Sequence, residues 1–250
     1  MAADGAATLT QMGQGTVLQP TKKLNIVLGR IIVAVSGPVG LSQRITGEME
    51  LIWREKAIAG QKSFQAMTTI RQRLWNHVGM ELRVASEAVK LIGNTAAQAA
   101  LCTAVVALPV DNQPCLLQFD QQCAPEEVTD QLPFVAIGSG QRIADPFLAF
   151  LRRVFWRDHQ PTLGEGEFAA VWTVSHAIET SPGGVAEPIH LATLRRGERD
   201  WEAREHTREE LQEHLQAAQA AEKHLATFKK ELQSAAGQPP AAETPPEPRK

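Results

Sequence analysis

The chain contains no tyrosine, only three cysteines, and no apolar run long enough to cross a membrane. Cys102, Cys115 and Cys123 are odd in number and none forms a C-x-x-C pair. That argues against a disulfide framework and fits reduced thiols in a cytoplasmic protein. The longest apolar stretches, around residues 24–35 and 99–110, are shorter than the ~20 residues of a membrane span and carry polar breaks. The opening Met-Ala-Ala-Asp-Gly has neither the basic flank nor the apolar core of a signal peptide. Charge of one sign is scarce too. A net charge of −3 over 250 residues leaves no strong electrostatic case for nucleic acid or an anionic membrane as partner. No G-x-G-x-x-G or G-x-x-x-x-G-K-[ST] occurs, so a phosphate-binding loop is not indicated. The seven histidines show no metal-ligand spacing; His206, His214 and His224 fall in a charged stretch and are expected to face solvent. No metal or cofactor is expected.

What is present is a 43% hydrophobic composition, enough to bury one sizeable core. Residues 1–23 are small and polar and read as turns or strand ends. Residues 24–28 and 31–35, split by Gly29-Arg30, read as a hairpin of buried strands. After the turn Ser36-Gly37-Pro38-Val39-Gly40 the period becomes helical, with Leu41, Ile45, Met49, Ile52 and Trp53 on one stripe. A second helix is expected from Ser63, a plausible N-cap, with a continuation or restart through Leu82, Ala85 and Val89. Residues 101–110 and 115–119 read as another strand pair, turned at Asp111-Asn112-Gln113-Pro114. Cys102 and Cys115 sit on these strands as core residues. A short strand at 134–137, helices at about 144–156 and 166–179, and a last strand at 189–194 complete the order.

From about residue 200 the composition shifts to Glu, Gln, Ala, Lys and Leu. Leu211, Leu215, Ala218, Leu225 and Leu232 make a near-heptad stripe over 201–234. That helix either binds a partner or packs back on its own domain. The Pro/Glu-rich residues 237–250 read as a disordered tail. Paired strands alternating with paired helices suit a layered α/β sandwich rather than a doubly wound sheet.

Four segments in order, residues 2–8, 35–40, 136–140 and 181–184, resemble those of the proteasome β-subunit and HslV-type peptidase family of N-terminal-nucleophile hydrolases. Ala2-Ala3-Asp4-Gly5-Ala6-Ala7-Thr8 is similar to the family's A-x-D-x-x-A-T segment, and Lys22-Lys23-Leu24 follows at about the family interval. Val35-Ser36-Gly37-Pro38-Val39-Gly40 is similar to its A-G-x-x-G turn. Ala136-Ile137-Gly138-Ser139-Gly140 is similar to A-x-G-S-G, and Ser181-Pro182-Gly183-Gly184 stands where S-x-S-G-G is usual. The resemblance covers about residues 1–196. It implies an α+β, four-layer αββα sandwich over 1–199, followed by an amphipathic helical extension over 200–236 and the tail.

The resemblance also implies a chemistry. In the family a processed N-terminal threonine attacks the peptide carbonyl, with its α-amino group (ordinary pKa about 8) as base. Lys23 matches the lysine that lowers the hydroxyl pKa, Asp4 the carboxylate that anchors it, and Gly37 the oxyanion glycine. Ser139 matches the serine of the Gly-Ser-Gly turn and Glu179 the later acidic residue. Thr8 would pair with substrate backbone, while Val35, Ala7 and Val39 would line an apolar specificity pocket. Pro182 replaces a serine that helps hold the N-terminus. The family's first strand, roughly a dozen residues, precedes the A-x-D segment, so the expected start lies upstream of Met1 or the strand is missing; unpaired sheet edges favour the former. Partners implied are further copies of the chain in rings, a peptide or unfolded-protein substrate, and an ATP-dependent unfoldase. The alternative is a non-catalytic subunit of the same fold, whose C-terminal helix recruits a partner.

Overall fold

The computed structural model describes residues 1–11, 14–93, 100–181 and 183–236. Three strands open the chain, β1 (Ala2–Asp4), β2 (Ala6–Gln11) and β3 (Gln14–Pro20). The small polar residues read as turns or strand ends are thus mostly paired strand. β2 and β3 form an antiparallel hairpin, while β1 joins a strand from the other end of the sequence.

β4 (Leu24–Val27) and β5 (Ile31–Ser36) form the predicted hairpin. Leu28 and Gly29 both take positive φ, 52° and 65°, and the Arg30 N–H bonds the Val27 carbonyl at 3.0 Å. This primed turn matches the right-handed twist of its strands. β6 (Thr103–Val110) and β7 (Gln113–Phe119) repeat the device at Asp111 and Asn112, φ 48° and 60°. The turn is thus two residues, and Gln113 and Pro114 belong to the strand. β8 (Pro125–Glu127) completes a five-stranded antiparallel sheet ordered β4-β5-β6-β7-β8. Residues 134–137 are not a strand; they run irregularly into Gly138.

The period-2 pattern of β5 sorts its residues between two cores. Ile31 and Val33 face α1 (Val39–Arg54) and α2 (Ser63–Ile92), against Leu41, Ile45, Met49, Ile70 and Leu74. Ile32 and Ala34 face the opposite way, onto a three-stranded sheet through Ala192 and Ala203. α2 is one continuous helix with no restart. Its N-cap is Lys62, and the Ser63 hydroxyl is donated to Glu127 at 2.6 Å rather than to the helix. Gly93 ends it with φ 80°, the left-handed residue usual after a helix.

α3 (Gln141–Phe155) and α4 (Leu163–Thr180) follow. Thr162 and Glu165 cap α4 reciprocally, each side chain satisfying the other's backbone N–H. β9 (Ile189–Arg196) then pairs with β1 on one side and β10 (Trp201–Glu205) on the other. Here the expected helix over 200–236 is shorter: residues 201–205 are a strand, and α5 spans Arg208–Ala236. Glu, Ala and Arg are good helix formers, which hid the alternation of buried Trp201 and Ala203 with outward Glu202 and Arg204. α5 packs back on the domain: Ala218 is buried with Leu151, Trp156, Ala169 and Trp172, and Glu222 accepts from Trp172 Nε1 at 2.7 Å. The expectation that all three histidines of this region face solvent fails at His206, whose side chain is 3% exposed, and at His214, 19% exposed and against Glu167; His224 is exposed as expected. The tail over 237–250 lies outside the described residues.

The class is α+β, built on antiparallel sheets. Among the described residues no helix is long and apolar enough to cross a membrane.

Candidate active site

The strand register begins the site. Leu24 lies opposite Ala34, so Lys23, one step earlier, enters beside Val35 and the Ser36-Gly37 turn. Both Asp4 carboxylate oxygens accept from Lys23 Nζ at 2.8 Å. The pair is partly buried, 26% and 14% exposed, so it is worth more than a solvated surface bridge. Asp4 Oδ2 also accepts from the Ala6 N–H at 3.2 Å and the Ala186 N–H at 3.4 Å. The carboxylate therefore fastens β1, Lys23 and the 184–186 loop together.

Close approach of backbones fixes the neighbouring turns. Gly37 has φ 144°, and a Cβ there would sit 2.7 Å from the Leu101 carbonyl oxygen and from Cys102 Cβ. No side chain fits in that space. Gly5 is similarly crowded by Pro188, 2.4 Å from a notional Cβ. Gly138, φ 89°, packs over the Ser36 hydroxyl, and Ser139 Oγ donates to the Gly184 carbonyl at 3.0 Å. Asp4, Lys23, the 35–37 turn, the 138–139 turn and the 184–186 loop thus converge. α1 starts immediately after Gly37 with no side-chain cap, leaving its first N–H groups and the positive end of its dipole beside the turn.

Other expected positions stand apart. Glu179 is exposed near the C-terminal end of α4, with no hydrogen bond or ion pair to Asp4 or Lys23 among those found. Val35, although beside Lys23 in the backbone register, packs against the helical core, and Val39 is exposed at the start of α1. Ala7 and Thr8 lie on β2, paired with Gln19 and Leu18 of β3. Pro182 lies outside the described residues. Gly184 belongs to the segment matched to the S-x-S-G-G loop, but its carbonyl contact with Ser139 and the Ala186 N–H contact with Asp4 were not foreseen; a backbone contribution leaves no residue-type signal.

No protein-family model matches the chain, and a search of curated protein sequences finds no relative. Solved structures do match. The chain resembles a Pseudomonas aeruginosa protein described as the helical assembly of the Anbu complex, with TM-score 0.60 and 16% identity over 97% of this chain and 94% of that one. Anbu (ancestral beta-subunit) from Yersinia bercovieri gives TM-score 0.60 and 13% identity over 96% and 93%. A Gly-1 mutant of Anbu from Hyphomicrobium sp. strain MC1 gives 0.56 and 18% over 90% of each. At these identities the likeness shows a shared fold. It corrects the sequence resemblance: the matched structures are Anbu chains, so assignment to the proteasome β-subunit and HslV-type peptidases is not upheld. The motifs quoted for that assignment are short and rich in glycine, and fixed the local turns rather than the branch. The likeness also reaches further than residue 196, because a match over 97% of the chain leaves too little uncovered to omit the 29-residue α5.

Proposed function

We propose that the chain is a self-assembling, proteasome-like subunit of the ancestral beta-subunit kind, carrying an N-terminal-nucleophile hydrolase centre at Lys23. The observation that carries this is Lys23 Nζ gripped by both Asp4 oxygens beside the Gly37 turn. An ammonium held there stabilises an adjacent alkoxide, and an N–H at a glycine turn can receive an oxyanion. The substrate would be a peptide or unfolded protein attacked by a threonine hydroxyl. The αββα sandwich is supported by the packing: α1 and α2 lie on the five-stranded sheet, that sheet meets β9 and β10, and α4 lies on β1 and β9. Self-association is supported by apolar side chains left open on α2, notably Phe64, Trp75, Met80 and Val84. The buried free thiols suit a reducing cytoplasm. No described feature singles out an unfoldase.

A second reading, a non-catalytic assembly subunit, is favoured by a specific observation. The hydrogen bonds found for Lys23 Nζ both go to Asp4, and the Ser139 hydroxyl is turned to Gly184. Among the described residues no hydroxyl is bonded to Lys23.

One experiment separates the readings. The native protein is purified, its N-terminal residue and assembly mass are measured, and hydrolysis of unstructured peptides is followed for wild type and Lys23→Ala. The hydrolase reading expects a large assembly and loss of turnover by 100-fold or more in the variant, with the assembly intact. Assembly without turnover leaves the second reading; a monomer without turnover defeats both.

A further inference from the structure

α4, the turn after β10, and α5 bring three side chains of metal-ligand type together at a point the Lys23 site does not use. Glu167 Oε1 is 3.2 Å from His206 Nε2, and Glu167 Oε2 is 3.4 Å from His214 Nε2. One donor atom from each of the three lies within 4.8 Å of the others. Tetrahedral zinc with bonds of about 2.0–2.1 Å separates its ligand atoms by about 3.3–3.4 Å. The two Glu167 distances, one to each carboxylate oxygen, are close to that spacing, so small side-chain rotations bring one oxygen and both imidazoles around a common ion.

His206 supplies a second, independent sign. Its side chain is 3% exposed, yet Nδ1 has no hydrogen-bond partner. Glu210 Oε2 lies 3.5 Å from that nitrogen, held in place by Arg204, which donates to both Glu210 oxygens at 2.9 and 2.8 Å. Both ring nitrogens of His206 therefore face carboxylates. In its neutral form, the one that ligates a metal, the imidazole has one N–H, so one nitrogen turns a lone pair toward a carboxylate oxygen. Thr193 Oγ1, 3.1 Å from Nε2, can donate its O–H to that lone pair, but Glu167 Oε1 still faces the same nitrogen. A cation at Nε2 resolves it outright, with Nδ1–H directed at Glu210 as the orienting contact that metal-bound histidines commonly make.

We propose that Glu167, His206 and His214 bind one zinc-type divalent ion, which staples α5 to α4 and to the end of β10. The fourth position is open to water. Two imidazoles and one carboxylate suit zinc or cobalt rather than magnesium or calcium, which prefer all-oxygen shells.

The test uses the untagged full chain, stripped of metal and titrated with Co(II) as a spectroscopic probe and then with Zn(II). The expected result is one equivalent bound, visible bands of tetrahedral Co(II) that Zn(II) displaces, and a raised unfolding temperature. His214→Ala and Glu167→Gln should each weaken binding at least 10-fold, while His224→Ala, an exposed histidine on the same helix, should leave it unchanged. Circular dichroism of each variant confirms folding, and because two different ligands are changed, failure of one to fold leaves the other decisive. Absence of binding at stoichiometric zinc, or binding unaltered in both ligand variants, overturns the proposal.

Discussion

Two carboxylates tie helices together, Glu48 between α1 and α2 and Glu167 between α4 and α5, and they are compensated in different ways. Glu48 accepts from Arg73 Nε at 2.5 Å and lies 2.9 Å from His77 Nε2. Arg73 also reaches Glu55 at 2.8 Å. A guanidinium is charged at any accessible pH, so this cluster is complete from its own side chains. Glu167 has only imidazoles within bonding distance among the described residues, while the cations that also feel its charge, Arg204 and the Met1 ammonium, act from further away. The same residue types thus give a closed clamp in one helical layer and an open coordination set in the other. The difference lies in where the arginine is held: Arg73 bonds Glu48 itself, whereas Arg204 is taken up by Glu210.

The largest expected effect tests the clamp. Arg73→Ala strands Glu48, 9% exposed in its side chain, with His77 alone. Urea denaturation should show a loss of about 1–3 kcal/mol, the range for an unsatisfied buried polar group. Metal-free His214→Ala should cost less, because Glu167 keeps His206. Equal costs would mean that the Glu167 cluster is already as complete as the Glu48 one.

A smaller effect appears with pH. Burial would raise the Glu48 pKa, but hydrogen bonds from His77 and Arg73 outweigh it and hold the carboxyl below its ordinary value near 4.5. A carboxyl whose folded pKa is depressed stabilises the fold above its unfolded pKa, and that contribution fades as pH falls through the folded value. The stability gap between wild type and Glu48→Gln, measured by denaturation from pH 7 downward, should therefore stay constant to about pH 5 and shrink below it. A gap that widens on acidification would reverse the assignment.

The smallest signal concerns the core that the Glu48 clamp closes. Burial pushes the thiols of Cys102, Cys115 and Cys123 up to about 11, 12 and 12. Iodoacetamide at pH 8 should leave the native chain unlabelled, and all three should react in guanidinium, read by intact mass. Stoichiometric labelling of folded protein would show that this helical layer opens more readily than its packing implies.

Much of the fold was legible because periodicity survives burial. The β4–β5 and β6–β7 hairpins and helices α1, α2, α3 and α4 all announce themselves by spacing of 2 or 3.6. β10 did not, since five residues of helix-forming composition became a strand only through pairing with β9. Motif order set Asp4, Lys23, Gly37 and Glu179 side by side as expectations; of these, Asp4 and Lys23 meet in an ion pair, while Glu179 is exposed near a helix end, and a position in sequence does not say which way a helix end faces. The Ala186 and Gly184 contributions are backbone groups, which any residue type provides.

By itself the sequence determined the alternation of strand pairs and helix pairs, the shortness of its apolar runs, and a glycine turn at Gly37. These are local consequences of side-chain size, polarity and φ. Tertiary structure decided what lies far apart in sequence and close in space: Asp4 meeting the 184–186 loop, His206 losing its solvent, and Glu167 standing between two histidines. Charge compensation and burial depend on every element packed around a group, and a linear pattern carries no record of those neighbours.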